Sequence, residues 1–150
     1  QLELTQDGKS VAAVVIFEDK ATDNPRETIR KDVWPGIAAL ESGKRVNQLT
    51  HDVSAALETQ KHLDPELDID AAISNLLWKD ARRYRVSITV GETHRGQQAR
   101  KRLFKGFDES APGGVERRRA ETIHIPELRQ WMQKFADRAI AHVKAMVTNV

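Results

Sequence analysis

The stretch that decides the fold is residues 1–22, which read QLELTQDGKSVAAVVIFEDKAT. Its first residues alternate between apolar and polar side chains, a pattern typical of a half-buried strand. An Asp-Gly pair at residues 7–8 supplies the positive-φ positions that a tight hairpin turn needs. The run VAAVVIF at residues 11–17 is apolar and rich in β-branched residues, which indicates a strand covered on both faces. The stretch therefore predicts a β-hairpin whose second strand is buried.

The second strand of this hairpin ends in three charged residues. Side chains two positions apart on a strand share a face, so Glu18 and Lys20 project together and Asp19 points away. A carboxylate beside an ammonium at the mouth of a buried strand can hold a hard divalent cation and polarise a phosphate or a water. Glu3, which lies across the hairpin from Glu18, can supply the second acid of such a metal site.

This arrangement resembles the PD-(D/E)XK nuclease superfamily, in which an acidic residue begins one strand, a hairpin follows, and Glu-x-Lys lies near the end of the next strand. Glu18 and Lys20 match Glu-x-Lys, and Glu3 stands for the first acid. The chain departs from the pattern because no Pro-Asp is present. Asp7 is a rival for the first acid, and that acid could also precede Gln1. The likeness covers roughly the first quarter of the chain closely and the remainder only as architecture.

The resemblance implies an α/β (α+β) domain with a central mixed β-sheet flanked by helices, as in the restriction endonucleases. It implies Mg²⁺ or Mn²⁺ bound by Glu3 and Glu18, with Asp19 contributing its carbonyl oxygen. Lys20 would orient the attacking water or stabilise the developing negative charge. The implied reaction is metal-dependent hydrolysis of phosphodiester bonds in DNA, of the kind used in restriction or phage defence.

Two other interpretations stay open beside the nuclease. The first is a non-catalytic α/β module that binds DNA or a protein, in which Glu18 and Lys20 form an exposed ion pair of small energetic value. The second is a hydrolase that uses His94 or His124 as its base. No Ser or Cys stands in a recognisable nucleophile elbow, which disfavours the hydrolase.

The composition bounds the class of protein. A chain of 150 residues with 39% hydrophobic and 31% charged residues is expected to form a single domain with its own core, and no apolar run approaches membrane-spanning length. The absence of Cys fits a cytoplasmic protein. Superfamily members carry a helix before the hairpin, so the resemblance also suggests the C-terminal part of a longer protein.

The remainder of the chain predicts a mixed order of helices and strands. Pro35-Gly36 is expected to interrupt the first helical stretch. The last helix carries an apolar stripe that is expected to be core, formed by Leu128, Trp131, Phe135, Ala139, Val143 and Met146. The predicted helices cover residues 25–34, 37–41, 44–60, 70–80, 96–105 and 127–147, the predicted strands cover 84–90 and 117–125, and 108–114 is a predicted loop.

Clusters of basic residues give the chain local positive charge although its net charge is only +2. Such clusters neutralise phosphates and bind DNA with salt-dependent and largely sequence-independent affinity. DNA is therefore the expected partner, other protein subunits or a second copy in a homodimer are further partners, and no membrane is involved. The expected phosphate contacts are Arg26, Arg30, Arg100, Lys101, Arg102, Arg117, Arg118 and Arg119.

Overall fold

A computed structural model describes residues 1–6, 11–61 and 81–148. The strands are β1 (Leu2–Leu4), β2 (Val11–Lys20), β3 (Arg82–Val90) and β4 (Arg118–His124). The α-helices are α1 (Pro25–Thr28), α2 (Trp34–Glu41), α3 (Val46–Lys61), α4 (Gln97–Leu103), α5 (Phe107–Ser110) and α6 (Leu128–Thr148). A π-helical segment, Ile29–Val33, joins α1 to α2, and short 3-10 turns cover Glu92–His94 and Val115–Arg117.

The strands form a four-stranded mixed sheet in the order β1-β2-β3-β4, which confirms the α/β class. β1 runs antiparallel to β2, so the predicted hairpin pairing is confirmed, while β3 and β4 run parallel to β2. The predicted hairpin turn covers residues 6–9, and its positions 7–9, which include the rival acid Asp7, lie outside the described residues. The predicted helix over 70–80 also lies outside them.

One face of the sheet carries the core. Alternate residues of β3 (Tyr84, Val86, Ile88 and Val90) are at most 2% exposed because they pack against the helices that follow β2 and β3. A smaller cluster at the hairpin end of this face joins Val11 and Val14 of β2 to the α3 residues Val53 and Leu57. We call this side of the sheet the helix face.

The helical stretch after β2 runs on through Pro35, so the predicted interruption at Pro35-Gly36 is wrong. Pro35 stands at the beginning of α2, where its missing N–H removes no essential helical bond. The π-helical turn before it lets the Trp34 N–H donate to the Ile29 carbonyl, which widens the helix ahead of the proline ring. Ile29, Val33 and Ile37 thereby face the sheet on one continuous buried stripe.

Two further expectations are corrected in the second half of the chain. The predicted loop 108–114 begins with a helical turn, α5, because Phe107 is buried and stacks on Trp34 with ring centroids 4.9 Å apart. The apolar stripe of α6 is not core. Every residue from Arg129 to Val147 is exposed, including Trp131 at 50% and Phe135 at 60%.

The opposite side of the sheet, which we call the open face, carries the odd-numbered residues of β3 and β4 and those of β2 from Ala13 onwards. Phe17 is 37% exposed there and Ile123 is 52% exposed. Within the parts of the chain that the structure describes, no helix has the length and apolar character required to cross a membrane.

Candidate functional site at the end of strand β2

Glu18 and Lys20 lie side by side where β2 ends. The Lys20 Nζ is 3.1 Å from the Glu18 Oε2, and both side chains are partly buried. Their β3 partners are Val86 and Ile88, which point to the helix face, so Glu18 and Lys20 lie on that face as well. The predicted juxtaposition of this carboxylate and this ammonium is confirmed.

The chain that leaves the site is fixed by side chain to backbone hydrogen bonds. The Thr22 N–H donates to the Thr89 Oγ1 at 2.8 Å, and the Thr89 hydroxyl donates to the Thr22 carbonyl at 3.0 Å. The Thr28 hydroxyl donates to the Thr22 Oγ1 at 3.1 Å, which ties the beginning of α1 to the same point. These bonds hold the end of β2 against β3, and they position Lys20 two residues upstream.

Helix α3 brings a second carboxylate to Glu18. Arg45, Gln48 and Asp52 line a cleft of about 150 Å³ together with Glu18. Arg45 immediately precedes α3, and Gln48 and Asp52 follow it at intervals of three and four residues, so all three lie on one side of the helix. A Cβ added to Gly36 would lie 3.7 Å from the Glu18 Oε1, so α2 also approaches closely. The sequence shows this polar row, but only the packing of α3 against the hairpin reveals that it faces Glu18.

Glu3 does not share this cleft. Its register partner on β2 is Ala13, which lies on the open face together with Val15. Glu3 forms an ion pair with Arg83, the β3 partner of Val15, on that same face. Glu3 and Glu18 therefore lie on opposite sides of the sheet, and the expected metal site formed by these two acids is corrected.

Asp19 also turns away from Glu18, as the alternation of the strand predicts. Its β3 partner is Ser87, and its side chain is exposed in a groove of the open face. Gln1 pairs with Val15 at the end of the hairpin ladder, so no described residue of β1 lies beside Glu18. Asp52 is thus the carboxylate that the described residues bring to the Glu18 cleft.

Arg117, an expected phosphate contact, is instead a buried core residue. Its side chain is 5% exposed and pairs with Glu41, the Arg117 Nη2 lying 2.8 Å from the Glu41 Oε1. The Arg117 Nε donates to the Arg82 carbonyl at 3.0 Å, and the guanidinium lies 5.9 Å from the Tyr84 ring centroid. A carboxylate buried at the end of α2 needs a cation, and Arg117 supplies it.

Tyr84 completes this buried group by donating its hydroxyl to the Glu41 Oε1 at 2.5 Å. Burial, reinforced by the hydrogen bond to Glu41, raises the pKa of Tyr84 well above its ordinary value. The neighbouring Arg118 is engaged with main-chain carbonyls, donating to Ala111 at 2.7 Å and to Gly113 at 3.0 Å. Arg118 therefore closes the loop before β4 instead of presenting a free cation to phosphate.

The other expected phosphate contacts lie on the surface. Arg26 and Arg30 line a groove of about 560 Å³ with Lys31 and His94, next to the segment that leaves β2. Arg119 is exposed and pairs with Glu121 at 2.6 Å. On α4, Arg100, Lys101 and Arg102 are exposed, and the Arg100 Nη1 donates to the Arg95 carbonyl.

The two histidines of the hydrolase interpretation lie apart from the Glu18 cleft. The His94 Nδ1 is buried and has no hydrogen-bond partner among the described residues. The His124 Nε2 lies 3.0 Å from the Glu92 Oε1.

Across residues 1–6, 11–61 and 81–148, no group of three or more His, Cys, Asp or Glu side chains converges as a metal site would require. The Glu18 cleft offers two carboxylates, which is the number that Mg²⁺ commonly takes from a protein when waters and phosphate oxygens complete its coordination. In comparisons with protein-family models, curated proteins and solved structures, none matched this chain.

Proposed function

We propose that this chain is a restriction-endonuclease-like domain that hydrolyses phosphodiester bonds in DNA with Mg²⁺ or Mn²⁺. The observation that carries the proposal is the contact between Glu18 and Lys20 at the tip of β2, in a strand flanked by antiparallel β1 and parallel β3. The superfamily that the sequence resembles places its Glu-x-Lys pair at this point of a mixed sheet.

In this proposal the cleft between β2 and α3 holds the metal ion. Glu18 and Asp52 are the ligands that the described residues offer, and Gln48 lines the same cleft, where its amide oxygen accepts a hydrogen bond from Arg45 at 3.3 Å. An acid ahead of Gln1 would continue β1 alongside Glu18 and is the alternative source of the second carboxylate. A bound Mg²⁺ would supply a water of lowered pKa and neutralise charge on the scissile phosphate.

Besides the metal ligands, Lys20 is the side chain that would act directly on the phosphate. Its ammonium is held by Glu18 at 3.1 Å and is 35% exposed, so it can reach a phosphate oxygen without leaving the strand. A preorganised cation at this position stabilises the negative charge that develops on the phosphate in the transition state. Removing such a group costs roughly 100-fold to 1000-fold in rate in comparable sites.

The surface beside the site supports DNA as the ligand. The groove lined by Arg26, Arg30 and Lys31 begins a few residues after Lys20, so a strand whose phosphate occupies the cleft can continue along these cations. Affinity carried by such contacts falls steeply with salt concentration and varies little with DNA sequence.

The test is nicking and linearisation of plasmid DNA in Mg²⁺ and in Mn²⁺. We expect Glu18→Gln and Lys20→Met to lower the rate roughly 100-fold or more while the circular dichroism spectrum stays native. Glu58→Gln is the matched control, since it makes the same substitution at an exposed position of α3 that lines neither the Glu18 cleft nor the groove beside Arg26. Asp52→Asn distinguishes the two sources of the second acid, because it lowers the rate only if α3 supplies that ligand.

Full activity in both the Glu18→Gln and the Lys20→Met variant would refute the proposal, as would an intact wild-type chain that cuts nothing in either metal. The second outcome would favour a non-catalytic DNA- or protein-binding module. The specific observation in favour of that module is the placement of Glu3 across the sheet from Glu18. In such a module Arg26→Gln would weaken DNA binding and reduce its salt dependence, while Lys20→Met would change neither.

A further inference from the structure

Helix α6 presents an apolar half that touches little of its own chain. Ten apolar positions from Leu128 to Val147 fall within about half of the helix circumference, a stripe wider than the narrow seam of a two-stranded coiled coil. Trp131 and Phe135 stack on this side with ring centroids 5.7 Å apart. The polar half carries Lys134, Asp137 and Arg138. A helix with an apolar stripe this wide is best buried by packing on a broad apolar surface.

The open face of the sheet is a surface of that kind. β2, β3 and β4 are parallel, and parallel sheets are almost always covered on both faces. Here one face is covered by helices, whereas on the other Phe17 and Ile123 stay exposed beside a groove of about 520 Å³. The described part of the chain therefore contains two apolar surfaces that lack a covering partner, a helix stripe and a sheet face.

The arginines of the open face are each paired with a carboxylate on that face. Arg83 pairs with Glu3, and Arg85 and Arg119 both pair with Glu121. The hydrogen bond from Arg85 holds the pKa of Glu121 below its usual range. These pairs leave a surface of low net charge whose arginine stems add apolar area, and this disfavours a nucleic-acid backbone and favours an apolar helix as the occupant.

Within one chain, α6 does not lie on the open face of the sheet. The first turn of α6 is anchored at the segment after β2, where Arg129 pairs with Asp23 and where Met132 lines a groove with Ala21 and Thr22. The ion pair raises the pKa of Arg129. Beyond this anchor every residue as far as Val147 is exposed, so the helix projects away from its own sheet.

The dimensions fit a second copy. The 21 residues of α6 give a helix about 31 Å long, close to the roughly 33 Å spanned by the ten residues of β2. The exposed large apolar side chains of α6 present on the order of 700–800 Å² in total, about the area that each partner contributes to a standard stable interface. Reciprocal exchange would cover one helix stripe and one sheet face in each copy.

We propose that two copies of this chain form a symmetric dimer in which α6 of each copy lies across the open sheet face of the other. Phe135 and Val143 are the central contacts of the helix, and Phe17 and Ile123 are those of the sheet. The contact is isologous and closes on itself, so the assembly stops at two copies. This inference does not rest on the proposed nuclease activity, because none of its contact residues is a proposed ligand or catalytic group, although Lys20 also lines the groove of the open face.

The first test is the molecular mass in solution, measured by sedimentation equilibrium over a range of protein concentration. We expect the wild-type chain to be a dimer and Phe135→Glu to raise the dissociation constant roughly 30-fold or more, as for a buried aromatic anchor. Gln130→Glu is the matched control, since it changes the charge by the same one unit at an exposed position on the polar half of α6, and it should leave the dissociation constant unchanged within about threefold. A monomeric wild-type chain would overturn the proposal.

The second test identifies the surfaces that meet. The chain contains no Cys, so single-cysteine variants Phe135→Cys and Ile123→Cys can be prepared separately, mixed, and treated with a short bismaleimide. We expect a covalent dimer that contains one copy of each variant, and much less of it when Lys134→Cys replaces Phe135→Cys.

Two results of this second test would overturn the proposed exchange. In a further variant that carries both Phe135→Cys and Ile123→Cys, a cross-link that forms only within one chain would show that α6 covers its own sheet. A cross-link that joins only two Phe135→Cys copies would show that α6 pairs with α6. Circular dichroism of each variant establishes that it is folded before cross-linking.

Discussion

Removal of the Glu41 carboxylate should destabilise this protein more than the loss of any exposed ion pair. Glu41 is 8% exposed and accepts hydrogen bonds from Tyr84 at 2.5 Å and from Arg117 at 2.8 Å. In Glu41→Ala the Arg117 guanidinium stays buried but loses its carboxylate, and the Tyr84 hydroxyl loses its acceptor. Breaking a buried pair in this way costs about 3–5 kcal/mol. Since the free energy of unfolding of a small domain is only about 5–15 kcal/mol, this loss is a large part of its total stability.

Three substitutions at the Glu41 contact separate the contributions of its charge and its hydrogen bonds to the free energy of unfolding. Tyr84→Phe removes a single hydrogen bond to a charged acceptor and should cost about 1.5–3 kcal/mol. Glu41→Gln keeps one carbonyl oxygen as an acceptor but removes the charge, so its cost should fall between those of Tyr84→Phe and Glu41→Ala. The order of the three values tests the physical account even if Glu41→Ala proves too unstable to measure.

Urea unfolding followed by circular dichroism is the assay. A loss of 3–5 kcal/mol lowers the urea midpoint by on the order of 2 M for a domain of this size, with an unchanged slope if the denatured state is unaffected. Glu27→Ala is the control, because Glu27 also pairs with a cation but stands in solvent, and its midpoint should not move measurably. A loss below about 1 kcal/mol for Glu41→Ala would refute the argument that Arg117 depends on this carboxylate.

Two further predictions concern the same fold. Tyr84 is the only tyrosine, so its ionisation can be followed by the ultraviolet absorbance of the phenolate. Burial, and then the hydrogen bond to Glu41, raise the pKa of Tyr84, so the stability that its neutral phenol contributes is fully present below about pH 10, the pKa of an unfolded tyrosine, and is lost as the pH rises from there towards the folded pKa. The absorbance change should therefore coincide with alkaline unfolding. A phenolate that appears while the circular dichroism spectrum is still native would contradict this prediction. Gly106 has φ +93° and its added Cβ would meet the Trp34 indole at 3.5 Å, so Gly106→Ala should cost about 1–2 kcal/mol in thermal or urea unfolding. Gly96→Ala should cost less, because Gly96 has φ −75° and open space around it and loses only the preference of the N-cap of α4 for glycine over alanine.

The strands and the paired charges at the tip of β2 could be predicted from the sequence because they depend on local alternation. Glu18 and Lys20 share a face whatever the register of β2, since side chains two apart on any strand do so. The apolar run and the Asp-Gly pair fix the hairpin in the same local way. These parts of the prediction needed no knowledge of tertiary contacts.

The placement of Glu3 could not be predicted because it depends on one residue of register. Leu4 pairs with Val11, and with this register continued Glu3 would lie opposite Ala12 and share the face of Glu18. The ladder instead shifts between Glu3 and Leu4, so that Glu3 pairs with Ala13. A bulge of one residue sends every side chain beyond it to the other face, and no pattern in the sequence marks it.

Arg117 and α6 show the same limit at longer range. A run of three arginines is typical of a phosphate-binding surface, but Arg117 is buried because Glu41, 76 positions earlier, ends a helix beneath it. The stripe of α6 has the periodicity of a core helix, and periodicity reports that a face is apolar without reporting what covers it. In both cases the missing information is a contact between distant segments.

The bulge that separates Glu3 from Glu18 also gives the two faces of the sheet different properties. With Glu3 on the open face, Arg83 has a carboxylate beside it, and the two arginines nearer β4 share Glu121. An apolar helix that covers this face would therefore meet arginines that already have carboxylate partners, which avoids the cost of several kcal/mol for burying an unpaired guanidinium. The helix face keeps Glu18 at its exposed end, where Asp52 lines the same cleft and would be the second carboxylate of the proposed metal site. The proposed dimer contacts and the proposed catalytic pair are different residues, so a substitution such as Phe135→Glu that separates the copies should leave the rate of DNA cleavage per chain unchanged.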